Sequence, residues 1–368
     1  MLGDQTSAHA VSVTLPGRRP STNRVAAILA RSIALASALL VSVSASELLT
    51  RMLRPQITMF PRYITSSEYA YELPANTSIR NARGSLWALT YTTNEIGRRG
   101  PFLPPAESYE TPNVVLVGDS YTFGIGVSDT EVYSARLQQL VGNRWRVVNG
   151  GMAGWGIDSE IKWFYQTGRH YQPRAVVLQF CGNDAWDSNT GVTTVSNGRF
   201  VFHPLPGSAR KPAWMDWASR SGLLQRSHLY SLLRSYTERG PADFNRRVLE
   251  SGDATDPVPA AAPARRSREE VQYLEYLRTF AEGLREDQIP FLFVSTTHKA
   301  GSAYIYDVAM FPQIEAGVRR LEAEGLLRFV ELPLSDMQSY AESPEGHHWG
   351  AQHHTRVAEA IAAALPEP

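Results

Sequence analysis

The sequence predicts a three-layer α/β/α fold, a doubly wound five-stranded parallel sheet preceded by an N-terminal membrane segment and a small β-rich preface. Three observations carry that prediction. Short apolar, largely β-branched runs recur from Val114 onward, with the length and composition of strands buried on both faces. Between them lie longer stretches with helical periodicity, and strands that alternate with helices build a parallel sheet, since each helix carries the chain back to the end from which it started. Ahead of both stands an apolar run without a single acidic residue.

Residues 1–24 form a polar lead carrying Arg18, Arg19 and Arg24, and residues 25–45 are apolar apart from serines and Arg31. A helix of about 20 apolar residues crosses a bilayer, and Arg31 lies near enough to the start of the run to reach back toward the arginine-bearing side. Positive charge stays on the cytoplasmic side, which predicts that the remainder lies outside the cytoplasm, in a periplasm or at the cell surface. Val43-Ser44-Ala45 also has the small-residue pattern of a signal-peptide cut, so secretion after cleavage is the alternative.

Residues 46–110 alternate short extended segments, 69–74 and 87–92 among them, with turn residues. Pro101, Pro104 and Pro105 then interrupt regular structure. The domain expected over 111–368 has core strands at 114–117, 145–148, 175–180, 290–294 and 327–332, with helices at 132–140, 157–167, 268–285, 311–323 and 351–364. An insertion at about 187–266 is too long for a single crossover. It includes Trp214, Trp217, a helix expected over 223–236 and an Ala/Pro-rich stretch at 257–263 expected to be mobile. Its position after a strand's carboxyl end predicts a lid or substrate-binding segment.

Charge excludes one class of partner. The 36 basic residues are balanced by 36 acidic ones and dispersed, so no basic surface for nucleic acid is expected. The one cysteine, Cys181, excludes an intramolecular disulfide framework and reads as a small packed hydrophobe. The oligomeric state is not legible.

The first core strand stops at Gly118-Asp119-Ser120, which puts the Ser120 hydroxyl at a strand's carboxyl end, where open α/β sheets bind ligands. A mere turn is the bland alternative. The second strand runs into Asn149-Gly150-Gly151-Met152-Ala153-Gly154, where missing Cβ atoms let backbone N–H groups approach an anion. The dinucleotide spacing G-x-G-x-x-G is absent. Strand three ends in Gly182-Asn183-Asp184, and an amide donor there, with Gly154 and Ser120, supplies what an oxyanion hole requires. A serine needs a base, and Glu345-Gly346-His347-His348 before the last helix offers an imidazole with a carboxylate three residues ahead of it. His347, His348, His353 and His354 raise a zinc site, but H-E-x-x-H is missing and no cysteine joins them, so neither a metal nor any other cofactor is expected. His353 and His354 read as polar surface residues at the start of that helix.

This order of motifs resembles the SGNH, or GDSL-like, hydrolases over Val114 to the C-terminus. Tyr71-Glu72-Leu73-Pro74 and Thr93-Asn94-Glu95-Ile96-Gly97-Arg98-Arg99-Gly100 resemble segments of a membrane-anchored bacterial branch. The resemblance implies a flavodoxin-like fold, Ser120 as nucleophile, His348 as base, and Gly154 and Asn183 with the Ser120 N–H as oxyanion hole. Two departures stand out. Glu345 occupies the place of the usual aspartate, and His353 that of a glycine often found after the histidine. The function expected is hydrolysis of an acyl ester of carbohydrate or another small ester outside the cytoplasm. An O-acyltransferase acting on an exported polysaccharide uses the same residues, and a non-catalytic carbohydrate-binding or assembly protein is the third class.

Overall fold

The computed structural model describes residues 22–64, 66, 68–69, 72–101, 110–187, 190–206, 213–237, 263–297, 308, 311–333, 343–344 and 348–368. Helix α1 (Thr22–Leu53) comes first. Its Arg24–Leu53 stretch is long and apolar enough to cross a membrane, with mean hydropathy 2.0 and none of its most apolar window buried. Strands β1 (Ile57–Phe60), β2 (Ser78–Arg83) and β3 (Trp87–Thr92) then form an antiparallel sheet. The expected segment at 87–92 is therefore a strand. Of the one at 69–74, the described residues contribute a single bridge, Glu72 to Ile64, while Tyr69 stacks on Trp155 at 4.4 Å.

The second sheet begins with β4 (Asn113–Val117), followed by α2 (Ser120–Phe123), α3 (Tyr133–Val141), β5 (Arg146–Asn149), α4 (Ile157–Gln166), β6 (Pro173–Gln179) and α5 (Asp184–Asp187). A hairpin of β7 (Thr193–Ser196) and β8 (Arg199–Phe202) comes next, then α6 (Ala213–Arg220), α7 (Gly222–Gln225) and α8 (His228–Thr237). The chain closes with α9 (Pro263–Glu286), β9 (Phe291–Thr297), α10 (Pro312–Ala323), β10 (Arg328–Pro333) and α11 (Ala351–Ala364).

The five parallel strands lie in the order β10-β9-β6-β4-β5. Direction of winding reverses at β4, so a crevice opens beyond the carboxyl ends of β4 and its neighbours β5 and β6. All five β4 residues are buried. Val114 and Leu116 pack with Leu137 of α3 and Val357 and Ile361 of α11 on one face. Val115 and Val117 pack with Phe164 of α4, Phe280 of α9 and Val318 of α10 on the other. Each Val or Leu so enclosed is worth about 1.5–3 kcal/mol against exposure, which explains the unbroken apolar run.

Two helix expectations need correction. The helix at 223–236 is two, α7 and α8, because Ser221 and Ser227 each cap a new start: Ser221 Oγ accepts from Leu224 N and Ser227 Oγ from Tyr230 N. Helix α9 begins at Pro263 rather than Arg268, since a proline in the first helical turn loses no hydrogen bond. The 257–262 part of the Ala/Pro-rich stretch lies outside the described residues.

The segment between β1 and β2 and the insertion both fasten to α4. Lys162 of α4, with its side chain fully buried, donates to Glu68 Oε2 at 2.8 Å, to Glu68 O at 2.9 Å and to His203 O at 2.7 Å. Phe200 and Phe202 of β8 each set their rings 5.6 Å from that of Tyr165.

Candidate active site

The first corner follows β4. At Gly118 a Cβ would stand 2.1 Å from Thr122 Oγ1, so only glycine lets the chain leave the strand and turn at once into α2. Asp119 is fully buried and caps that turn, its Oδ1 accepting from Tyr121 N at 3.0 Å. Burial pushes its carboxyl above the usual range, against the N–H of Tyr121, the charge of His348 and the hydroxyl of Ser120, which pull it down. Ser120 is thus the first residue of a helical turn, partly exposed among buried neighbours, with Oγ 3.1 Å from Asp119 Oδ2.

Gly124 ends the turn in the left-handed conformation (φ 85°), its N–H bonded to Ser120 O at 2.8 Å. A buried guanidinium braces this end. Arg99, which follows the N-terminal sheet, donates through Nη1 to Phe123 O and Gly124 O, through Nη2 to Val127 O at 2.9 Å and through Nε to Asp129 at 2.9 Å. Burial lowers its pKa, while the Asp129 carboxylate beside it holds the cation in place. Its neighbour Arg98 lies over the rings of Trp155, at 4.7 Å, and Trp163, at 5.5 Å, and burial lowers its pKa to about 10. Sequence reasoning assigned these arginines no role. The available signal was their place in the Thr93–Gly100 segment.

The second corner follows β5. Asn149 binds it to the first, its Nδ2 donating to Thr122 O at 2.8 Å and Ser134 Oγ at 2.9 Å while Oδ1 accepts from Gly151 N at 2.9 Å. Two further N–H groups of the loop are consumed by the first corner, since Gly150 N donates to Leu116 O at 2.8 Å and Met152 N to Gly118 O at 3.1 Å. A Cβ at Gly150 would stand 2.0 Å from the Trp163 ring, and one at Gly151 2.3 Å from Phe123 N. These two glycines therefore serve close packing against β4 and α2, which corrects the reading of the whole loop as an anion cradle. Gly154 differs from them, being left-handed (φ 78°) and partly exposed.

The third corner follows β6. Asp184 accepts from Cys181 N at 2.7 Å through Oδ2 and donates its own N–H to Cys181 O at 2.9 Å, a tight turn with partly exposed Asn183 inside it. Cys181 is buried, and burial among the Asp119 and Asp184 carboxyls pushes its thiol well up.

From the C-terminal side comes His348, buried, with Nε2 2.9 Å from Ser120 Oγ. Its ring lies 5.1 Å from that of Tyr121, and Trp349 packs on the same tyrosine at 4.6 Å. Helix α11 starts three residues later. His354 Nδ1 accepts from Tyr133 N at 3.1 Å, capping α3, whose own leading residue Val132 has no side chain to do so. His353 and His354 are both buried, which corrects their reading as surface residues: the start of α11 is pressed against α3. Burial holds His354 far below the ordinary histidine pKa, so it is neutral. Among the described residues no group of His, Cys, Asp and Glu could hold a metal. Glu345 and His347 lie outside the described residues.

The Ser120 hydroxyl thus lies just past the carboxyl end of β4, on a doubly wound sheet, 2.9 Å from an imidazole nitrogen of His348. A family model, GDSL-like lipase/acylhydrolase, matches residues 116–308, and the chain belongs to that family of ester-bond hydrolases. The match includes Ser120, Gly154 and Asn183 and stops short of His348. Similar solved structures include an acetyl xylan esterase, AlAXEase (13% identity, 69% of this chain and 100% of that one, TM-score 0.39). They also include Est24, a carbohydrate acetylesterase from Sinorhizobium meliloti (12%, 69% and 98%, 0.35), and a G-D-S-L lipolytic protein from Veillonella parvula (9%, 69% and 98%, 0.37). No curated protein matches the chain.

Proposed function

We propose that the chain is a serine ester hydrolase working outside the cytoplasm on acyl esters of carbohydrate or another small ester. The observation that carries the reading is the contact of Ser120 Oγ with His348 Nε2. In this reading Ser120 Oγ bonds to the ester's carbonyl carbon as its proton passes to His348 Nε2. Collapse of the tetrahedral species expels the alcohol, which leaves with that proton, and water then repeats the sequence to release the acid. Ser120 N, Gly154 N and the Asn183 amide are the donors for the oxyanion in this reading, and Glu345 is the acid assigned to the imidazole.

The test is hydrolysis of a short-chain aryl ester by the full chain, with products compared in the presence and absence of an acetylated donor and a glycan acceptor. Release of free acid at an unchanged rate with acceptor present is expected. Acyl transfer to the acceptor would make the chain an O-acyltransferase, and no acyl turnover at all would leave a binding role.

The location rests on α1, exposed along its apolar run, with Arg24 in its first turn and Arg18 and Arg19 ahead of it in the sequence. A reporter active only in the cytoplasm, fused after Pro368, is expected to be silent, and the full chain to stay with membranes after an alkaline wash. A bright reporter would overturn the orientation. A silent reporter with release into the medium would mean cleavage near Ala45.

A further inference from the structure

One cavity, of about 490 Å³, lies between the end of α1, the N-terminal sheet and α7–α8, and no residue of the candidate active site lines it. Its lining is basic. Arg51, Arg80 and Arg226 face it with His228, and Thr58 and Ser85 add hydroxyls. Arg54 and Arg83 flank it, the latter donating to Pro55 O at 3.1 Å. The carboxylate bound into this cluster is Glu47, whose two oxygens take bonds from Arg51 Nε, Ser227 Oγ, His228 N and Leu229 N. It caps α8 and locks the end of α1 onto it, with Arg51 as its ion-pair partner. In a chain of zero net charge, such a concentration of guanidinium groups is local and strongly positive.

Arg51 spends Nε on Glu47 and Nη2 on Arg226 O at 3.2 Å, and the donors that face an anion are those of Arg80, Arg226 and His228. Arg226 sits over the Phe60 ring at 4.3 Å, a contact that engages the cation without consuming its N–H groups. His228 Nδ1 accepts from Gln56 N at 2.8 Å, so the ring's proton is on Nε2 and that nitrogen is a donor. Arg80 and Arg226 are exposed, while Thr58 and His228 at the cavity wall are buried.

Position along α1 identifies the anion. Arg51 lies six residues past Ala45, the end of the apolar run, and at 1.5 Å per residue that is roughly 9 Å beyond the hydrocarbon, the depth of lipid headgroups. Apolar side chains surround the cluster at the same end: Leu49, Met52 and Leu53 on α1, Leu223 one turn before Arg226, and Trp214 and Trp217, one turn apart on α6, are all exposed. Tryptophan and arginine together are what the membrane interface favours.

We propose that this cavity is a binding site for the phosphate of an anionic phospholipid headgroup in the leaflet that α1 enters on the side of the hydrolase domain. The proposal rests on the reading of α1 as a membrane anchor. It gives the helix's end a fixed seat, and hence the hydrolase domain a fixed orientation, at the bilayer surface.

The test uses the full chain in detergent, titrated with dioctanoyl phosphatidylglycerol, dioctanoyl phosphatidylcholine or inorganic phosphate, and reads bound lipid by native mass spectrometry and the melting temperature. Expected are saturable binding of one phosphatidylglycerol, at least tenfold tighter than phosphatidylcholine, and a melting temperature raised by several degrees. Inorganic phosphate at equal concentration should do neither. R80Q/R226Q, which changes two exposed side chains outside the active site, should weaken phosphatidylglycerol binding tenfold or more and leave hydrolysis of a soluble aryl ester unchanged. Equal binding of the two lipids, undiminished binding by the double variant, or an equal effect of inorganic phosphate would each overturn the proposal. Failure of the anchor reading shows separately, as release from membranes by the alkaline wash.

Discussion

Ser120→Ala is expected to lower turnover of an acyl ester by on the order of 10⁴-fold or more, and His348→Ala by a similar factor. The two side chains meet at 2.9 Å, and in the proposed mechanism neither performs the acyl step alone: the hydroxyl without its base keeps its proton, and the base without the hydroxyl has nothing to activate. The double variant should therefore be little worse than either single one, whereas independent roles would multiply the losses. Ser120→Ala removes one oxygen from a partly exposed position and leaves the Asp119 cap intact, so the melting temperature should hold. An organophosphonate should label wild type at Ser120 and leave the variant unlabelled. Glu345→Gln belongs to the same series and should cost less than either, because an orienting acid neither attacks nor carries the proton. Steady-state turnover of an aryl acetate checks all four variants. Full activity in Ser120→Ala ends the serine mechanism, and wild-type turnover in Glu345→Gln places the orienting group elsewhere.

Asn183→Ala should lower kcat by about 10²- to 10³-fold while KM changes little. The turn that presents Asn183 is built by other atoms, the Asp184 carboxylate on Cys181 N and the Asp184 N–H on Cys181 O, so truncating Asn183 leaves it standing. An amide aimed at an oxyanion binds more strongly as charge develops than in the ground state, and its loss is felt at the barrier rather than in substrate binding. Kinetics of the full chain with a melting curve make the check. A rise in KM at constant kcat would make Asn183 a substrate-binding residue instead.

The two sheets differed in legibility for a physical reason. A strand buried on both faces, such as β4, must be apolar at every position, and that run is visible without any partner. The N-terminal sheet is only partly buried, and β2, Ser78-Ile79-Arg80-Asn81-Ala82-Arg83, gives no clear pattern because the adjacent Asn81 and Ala82 are both buried, Asn81 with its amide on Tyr91 Oη. The β7–β8 hairpin could have been read: Asn197-Gly198, both left-handed, is a strong two-residue turn signal between Val195 and Phe200.

At the site, the residue types were legible and their environment was not. Glycine before a serine at a strand's end, a glycine-dense loop, an amide in a turn and a late histidine are local patterns, each dictated by the chemistry of its own segment. The sequence by itself determined the α/β class and the motifs that name the candidate residues, because backbone geometry and burial periodicity act over a few neighbours. Only the tertiary structure decided which of them meet, with Ser120 and His348 in contact across most of the domain. It also decided that Arg99 braces the turn of Ser120, that His354 caps α3, and that Gly150 and Gly151 are needed for the close approach of Trp163 and of α2. Those roles come from long-range packing, where a side chain's partner lies on another element and its charge or hydrogen bond has meaning only once water is excluded from between them.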